Sequence, residues 1–265
     1  MNTTEPSNHY ECIEIKIEKG IFRLIINRPE VRNALDNNML AEIDTALDEA
    51  KQNDEVKALI IEGAGGKSFA AGADIKQLHA RKPLEALIPG MQGLYSKIEN
   101  FPKVTIAVVN GYALGGGCEL AMACDIRIAS NKAKFGLPEL NLGIIPGAGG
   151  TQRLARLIGK SRALDMILTG RIIDGEEAER IGLANYYVHE EELHSKVAEI
   201  AAKVIKKGPI AVQLAKYAVH KGFDIDTDTA LWLEKLSQAV ALGTEDKQEG
   251  TLAFIEKRKA NFKNR

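Results

Sequence analysis

The chain of 265 residues carries 35 basic and 36 acidic side chains, a net charge of −1, with 45% apolar and 5% aromatic residues. That balance excludes a dominant basic field for nucleic acid or an anionic membrane surface, and no apolar segment approaches the ~20 residues of a membrane helix. The core must be built from Ala, Ile, Leu and Val, and the length suits one large domain, or one with a smaller appendage.

Residues 1–11 are polar and expected to fray, and Met1 to Glu18 contains neither an apolar signal run nor an Arg-rich amphipathic stretch. β-Branched runs Ile13–Ile17 and Phe22–Ile26, joined through Lys19-Gly20, read as a hairpin. Asn27-Arg28-Pro29 ends it, since Pro lacks the donor a central strand requires. Asp36 suits the N-cap of a helix with Met39, Leu40, Ile43, Ala46, Leu47 and Ala50 on one face. Val56–Ile61 reads as a buried strand closed by a Gly-Ala-Gly-Gly turn, and Leu84–Asn100 as a second helix. Val104–Val109 is a further strand, Gly115-Gly116-Gly117 opens a short helix over Cys118–Ala123, and Ile126–Ala129 is the next strand. Strand and helix alternate at short intervals, which favours a stacked α/β core. From Glu191 onward, segments 191–207, 209–221, 227–242 and 245–260 all read as helix, punctuated by Gly208-Pro209, Gly222 and Gly243. The expected division is an α/β core over 1–190 and an all-helical region over 191–265, too small to bury a generous core alone. It should pack on the main domain or on a partner subunit.

Gly63-Ala64-Gly65-Gly66-Lys67-Ser68 is not a phosphate loop: Ile61 stands where the first Gly is required, and a strand-exit turn accounts for the glycines. The following run, Ser68-Phe69-Ala70-Ala71-Gly72-Ala73-Asp74-Ile75, lets another molecule approach the backbone closely, with Asp74 able to cap or pin the loop; a tight surface turn is an equal reading. In Asn110 to Glu119, three glycines between a strand end and a helix start put bare N–H groups and the positive helix end at one spot, suited to a developing oxyanion. Glu119 sits in that helix's first turns, where a carboxylate is also favoured for structural reasons alone. Glu139 follows Leu137-Pro138 on an apolar-flanked turn, where a surface acid is the default. Two acids in apolar, Gly-rich surroundings are harder to dismiss together.

Rival chemistries find little support. The histidines at 9, 79, 189, 194 and 220 fit no common metal spacing, so no metal site is expected. Cys118 has no His placed to activate it, and core packing is the simpler role. Cys12, Cys118 and Cys124 form an odd set without framework spacing, as in a reduced, cytoplasmic protein.

Asn27-Arg28-Pro29 with Arg32-Asn33-Ala34-Leu35, then Phe69 to Asp74, Gly115 to Glu119, Leu137-Pro138-Glu139 and Ile145 to Arg153, closely resemble the enoyl-CoA hydratase (crotonase) family, in order and over nearly the whole chain from about residue 13 to the Glu256–Phe262 tail. The resemblance implies an α/β fold, a crotonase-like spiral of ββα units, with a helical C-terminal region that builds homo-trimers, commonly paired into hexamers. It implies an oxyanion hole from the N–H groups of Ala73 and Gly116, and Glu119 and Glu139 as catalytic acids. Ala73, Asp74, Ile75 and Lys76 would line the CoA and acyl path, with Ala34 and Ala71 near the adenine. Phe254 and Lys257 would reach CoA on a neighbouring subunit. The only cofactor-like group is coenzyme A, which belongs to the substrate.

The implied reaction is hydration of a trans-2-enoyl-CoA to a 3-hydroxyacyl-CoA, as in fatty acid β-oxidation, with a short chain such as crotonyl-CoA preferred. Two carboxyls sharing one water can take a proton from it and deliver one to the α-carbon, provided one starts ionised and the other protonated. Related readings are a methylglutaconyl-CoA hydratase and an enoyl-CoA isomerase; having both acids favours hydration. An RNA-binding protein of this fold would need a Lys-rich exposed helix, and Leu84–Asn100 offers only Lys97. A serine protease of a related spiral fold would need a Ser, His and Asp order that is not recognisable here.

Overall fold

The computed structural model describes residues 10–265. Of the polar opening, residues 1–9 lie outside the described residues. Tyr10 and Glu11 are not frayed: the Tyr10 hydroxyl donates to Glu49 (2.9 Å), and the N–H groups of Glu11 and Cys12 donate to the Glu42 carboxylate at 2.9 and 2.8 Å.

Strands β1 (Ile13–Glu18) and β2 (Ile21–Ile26) pair antiparallel through Lys19-Gly20. Both turn residues have positive φ, 51° and 78°, matching the twist a two-residue hairpin loop must follow. Helix α1 (Asn37–Gln52) begins where expected, with the Asp36 side chain accepting the Met39 N–H at 2.9 Å. It buries Met39, Ile43, Ala46, Leu47 and Ala50.

From there the chain winds as a spiral. A six-residue strand enters a large sheet, a three-residue strand enters a smaller one, and helix returns the chain: β3 (Ala58–Gly63), β4 (Ser68–Ala70), then α2 (Ile75–Ala80) and α3 (Gly90–Glu99). The next turn is β5 (Val104–Val109), β6 (Tyr112–Leu114) and α4 (Gly116–Ala123). The third is β7 (Ile126–Ser130), β8 (Lys134–Gly136) and α5 (Gly150–Ile158). Then come α6 (Lys160–Thr169), β9 (Ile173–Asp174), α7 (Gly175–Arg180) and β10 (Tyr186–Val188). The large sheet has the order β1-β2-β3-β5-β7-β10, parallel from β2 onward, and the small one β4-β6-β8-β9.

The long central strands are buried on both faces, so they read as unbroken apolar runs rather than alternating ones. Leu59 and Ile61 face the main core with Met39 and Leu47 of α1, while Ile60, Ile106 and Ile128 face outward. That outer face is covered by Leu193, Val197, Ile200 and Ala201 of α8 (Glu190–Val204), which therefore packs as a layer of the spiral. Helices α9 (Pro209–Gly222) and α10 (Thr227–Leu242) pack on one another and bury no residue fully, and α11 (Glu245–Ile255) follows. Helix α9 is tied to the core by Lys216, whose ammonium donates to Asp125 at 2.8 Å, with His220 on the other carboxylate oxygen at 3.2 Å.

Three local expectations need correction. Leu84–Asn100 is not one helix: a 3-10 turn over Pro83–Leu87 precedes α3, and Pro89, which has no N–H to offer, divides them. The last helix stops at Ile255 instead of 260, and Lys257 adopts a left-handed φ of 53°. The short helix starts at Gly116, two residues early, with Gly115 as its N-cap. Among the described residues no helix is long and apolar enough to cross a membrane.

Candidate active site

Strands β4, β6 and β8 lie side by side and parallel, so the three segments that leave them gather at one end of the small sheet. These exits are Ala71–Asp74, Gly115-Gly116 and Leu137–Glu139. They are stitched together: Gly115 N–H donates to the Gly136 carbonyl at 2.9 Å. The 71–74 segment also runs beside 32–35, with Leu35 N–H on Gly72 O (2.8 Å), Asp74 N–H on Leu35 O (3.0 Å) and Ala71 N–H on Arg32 O (3.2 Å). Ala34, Ala71 and Ala73 are thereby brought to one place. Asp74 caps α2 by accepting the Gln77 N–H at 3.0 Å, leaving Ile75 and Lys76 exposed on its first turn.

Two glycines are required by this packing. Gly115 has φ 52° and ψ −125°, a conformation that side chains disfavour. At Gly117 a Cβ would lie 1.9 Å from the Ala70 carbonyl oxygen, so α4 can press against β4 only without one.

The backbone nitrogens of Ala73 and Gly116 lie close to one another. A Cβ on Gly72 would sit 3.6 Å from Gly116 N, and one on Gly116 would sit 3.6 Å from Ala73 N. Among the described residues neither N–H has an acceptor in the protein. Gly116 is the first residue of α4, where an N–H has no intrahelical partner and the helix end is positive.

Glu119 lies one turn into α4 and is 2% exposed. Its Oε1 accepts two backbone N–H groups from the start of α5, Ala148 at 2.8 Å and Gly150 at 2.7 Å. Burial raises its pKa above the usual carboxylate value, while those two amides and the Arg153 guanidinium pull it back. Glu139 opens a 3-10 turn, Glu139–Leu142, behind Pro138. Its Oε1 is 3.1 Å from where a Gly115 Cβ would be, and its Oε2 is buried with no partner among the described residues. Burial pushes its pKa up to about 7, and the Glu119 charge adds to that; its own backbone N–H opposes both. The two carboxyls thus occupy one electrostatic neighbourhood under different hydrogen bonding. Cys118, buried beside both, is held firmly as a thiol, first by burial and then by their charges, which leaves it no nucleophilic character.

Phe254 and Lys257 lie at the end of α11 and just beyond it. Phe254 is 85% exposed near the end of α11, and no hydrogen bond joins either residue to the carboxyl pair among the described residues. Residues without an assigned role in the sequence reading also touch Gly116. The buried Tyr95 hydroxyl donates to the Gly116 carbonyl at 2.8 Å, and the Met91 sulfur is 2.9 Å from where a Gly116 Cβ would be. Ala148, Gly150 and Arg153 lie inside the recognised 145–153 motif, yet only the fold shows them closing on Glu119. Among the described residues no group of three or more His, Cys, Asp and Glu side chains could hold a metal ion.

A two-sheet ββα spiral followed by a helical C-terminal region is the crotonase fold. An enoyl-CoA hydratase from Bacillus anthracis superposes with a TM-score of 0.92 at 39% identity, over 96% of this chain and 100% of that one. A family model described as enoyl-CoA hydratase/isomerase matches residues 16–265, and the chain belongs to that family. It is 47% identical to a crotonyl-CoA hydratase of Syntrophomonas wolfei, over 96% of this chain and 98% of that protein. It is 48% identical to a short-chain-enoyl-CoA hydratase of Clostridium acetobutylicum, over 94% of this chain and 96% of that one.

Proposed function

We infer that this chain is a hydro-lyase that adds water across the 2,3 double bond of short trans-2-enoyl-CoA thioesters, crotonyl-CoA first among them. The observation that carries the reading is the unequal carboxyl pair beside two unengaged amides. Glu119, held by two N–H donors, is the carboxylate. Glu139, with an orphan oxygen and a pKa near 7, is the member that keeps a proton.

The thioester carbonyl oxygen sits between the N–H groups of Ala73 and Gly116. Water attacks the β-carbon as Glu119 removes one of its protons. The electron pair of the double bond moves onto the thioester as an enolate, whose oxygen the two amides hold. Glu139 delivers its proton to the α-carbon, so that H and OH have been added, and transfer of the proton that Glu119 took, through solvent to Glu139, resets the pair. Loss of one oxyanion donor typically costs about 3–4 kcal/mol, and a positioned general base contributes about 10²–10⁴-fold.

Ala34, Ala71, Asp74, Ile75 and Lys76 form the approach for CoA. No cofactor beyond the CoA of the substrate is needed for this chemistry. Phe223, Trp232 and Val240 are exposed on α9 and α10 or the turn between them, an apolar face suited to a homo-trimer in which Phe254 and Lys257 serve a neighbour's CoA. With three unpaired cysteines, the protein suits the reducing cytoplasm.

Steady-state hydration of a panel of short, branched and long enoyl-CoA thioesters tests the reading, with Glu119→Gln and Glu139→Gln alongside. Each variant should fold and lose most crotonyl-CoA hydration. Turnover within a few-fold of the parent in either variant refutes the role given to that residue.

A further inference from the structure

Around the carboxyl pair lies an ion pair that the reaction steps do not use. The geometry points to Arg153, locked by Glu99, as a positioning residue that fixes the Ala148–Gly150 segment against the Glu119 carboxylate. The inference rests on the hydratase reading above.

One guanidinium makes every connection. Its Nε and Nη2 donate to the two oxygens of Glu99 at 3.1 and 2.9 Å, a forked arrangement that fixes the plane of the group. Its Nη1 donates to the Ala148 carbonyl at 2.9 Å. The backbone N–H of Arg153 donates to the Gly149 carbonyl at 2.8 Å. Ala148 is therefore gripped from both sides: its C=O by Arg153, its N–H by Glu119 at 2.8 Å. Gly149, between the two amides that hold Glu119, has φ 103°, and a Cβ there would lie 2.2 Å from Arg153 Nη1. The guanidinium lies across this residue, and glycine leaves room for it. The Arg153 side chain is 11% exposed, while Glu99 is 31% exposed at the outer end of the pair.

The far end of the brace is as specific. Glu99 ends α3, the helix whose Tyr95, one turn earlier, donates to the Gly116 carbonyl, and whose Met91 packs against Gly116. One stripe of α3 thus touches the amide that faces the thioester oxygen and, through Arg153, the segment that holds the base. A misplacement of about 1 Å in such a support can cost ~10²-fold in rate.

An ion pair that merely staples α3 to α5 would change stability and leave the kcat of the folded protein where it is. The groups facing Glu119 are Glu139, Tyr95 and Cys118, all uncharged when the site is ready, and Arg153, whose positive charge favours the carboxylate. Charge alone moves the acid limb of kcat/KM, which reports the base of the free enzyme. Positioning shows instead as a kcat loss that Lys, with the charge but not the fork, does not restore.

The experiment compares wild type, Arg153→Gln, Arg153→Lys and Glu99→Gln as full-length proteins in crotonyl-CoA hydration from pH 5 to 10, with circular dichroism as the check on folding. Arg153→Gln is expected to move the acid limb to higher pH and to lower kcat by more than about tenfold, with KM within about twofold. Arg153→Lys, which keeps the charge, should leave the limb at the wild-type position. A folded Arg153→Lys protein with wild-type kcat overturns the proposal, because charge without the fork then suffices. Should Arg153→Gln fail to fold, Glu99→Gln decides: a kcat loss of more than about fivefold at unchanged KM supports it, and a smaller loss overturns it. Failure of the underlying reading shows separately, as a wild-type protein that does not hydrate crotonyl-CoA.

Discussion

Replacing Glu139 by Gln should make the protein less active and, at alkaline pH, more stable. In the folded chain burial holds the Glu139 carboxyl at about 7, against an ordinary 4.5. Below the lower value both the folded and unfolded chains bind this proton, and the site is neutral toward stability in pH. Between the two values only the folded chain keeps it, so stability is lost as pH rises through the folded pKa. The displacement corresponds to about 3 kcal/mol at about 1.4 kcal/mol per unit, and partial solvent access reduces this to about 2. The orphan Oε2 is the structural reason: above pH 7 the chain must keep an anion where one oxygen has no donor. Gln stays neutral throughout, and any cost of its unpaired amide is the same at every pH. The informative quantity is therefore the change in the gap between variant and parent. Melting temperatures at pH 5 and pH 9 should show Glu139→Gln gaining roughly 4–8 °C on wild type between the two conditions. A gap that is the same at both, or that moves against the variant at pH 9, refutes the assignment of Glu139 as the protonated acid.

Gly117→Ala places a methyl 1.9 Å from the Ala70 carbonyl, so α4 must move off β4; hydration should fall at least ~10²-fold, measured on whatever folded protein is recovered. Asp125→Ala leaves the shielded Lys216 ammonium without its carboxylate and releases His220, which should cost about 3 kcal/mol and make α9 and α10 the first site of limited proteolysis. The alkaline limb of kcat should lie above that of kcat/KM, because a bound acyl chain excludes water from Glu139 and raises its pKa from about 7 further; coincident limbs would contradict this.

The large sheet was legible because its strands are long, apolar and β-branched: Ile13–Ile17, Phe22–Ile26, Val56–Ile61 and Val104–Val109 were each located from pattern alone to within two residues of the observed ends. The small sheet was not. Ser68–Ala70, Tyr112–Leu114 and Lys134–Gly136 are three residues long, too short for a period of two to appear. That sheet is nevertheless the element that gathers the site, so its convergence was implied only by the family resemblance. Glu119 and Glu139 were visible as acids among glycines and apolar residues. The Arg153–Glu99 fork joins positions 54 apart, a long-range pairing that no local pattern announces.

The same separation explains why two glutamates in similar sequence settings are given opposite roles in the proposed reaction. Each follows a strand of the small sheet, and each lies in the first turn of a helical segment. What distinguishes them arrives from about thirty residues downstream of Glu119: the start of α5 folds back and gives that carboxyl two N–H groups, while Glu139 keeps one oxygen without a donor. An N–H bond to the charged form favours ionisation, and burial without one favours the proton. With the two acids electrostatically coupled, ionising the one with two donors makes a second ionisation more costly for the one with only its own N–H. In the proposed reaction the division into base and acid is thus set by where α5 begins, and a shift of Ala148–Gly150 away from Glu119 would raise its pKa, leave less of it ionised and reduce the contrast between the two carboxyls.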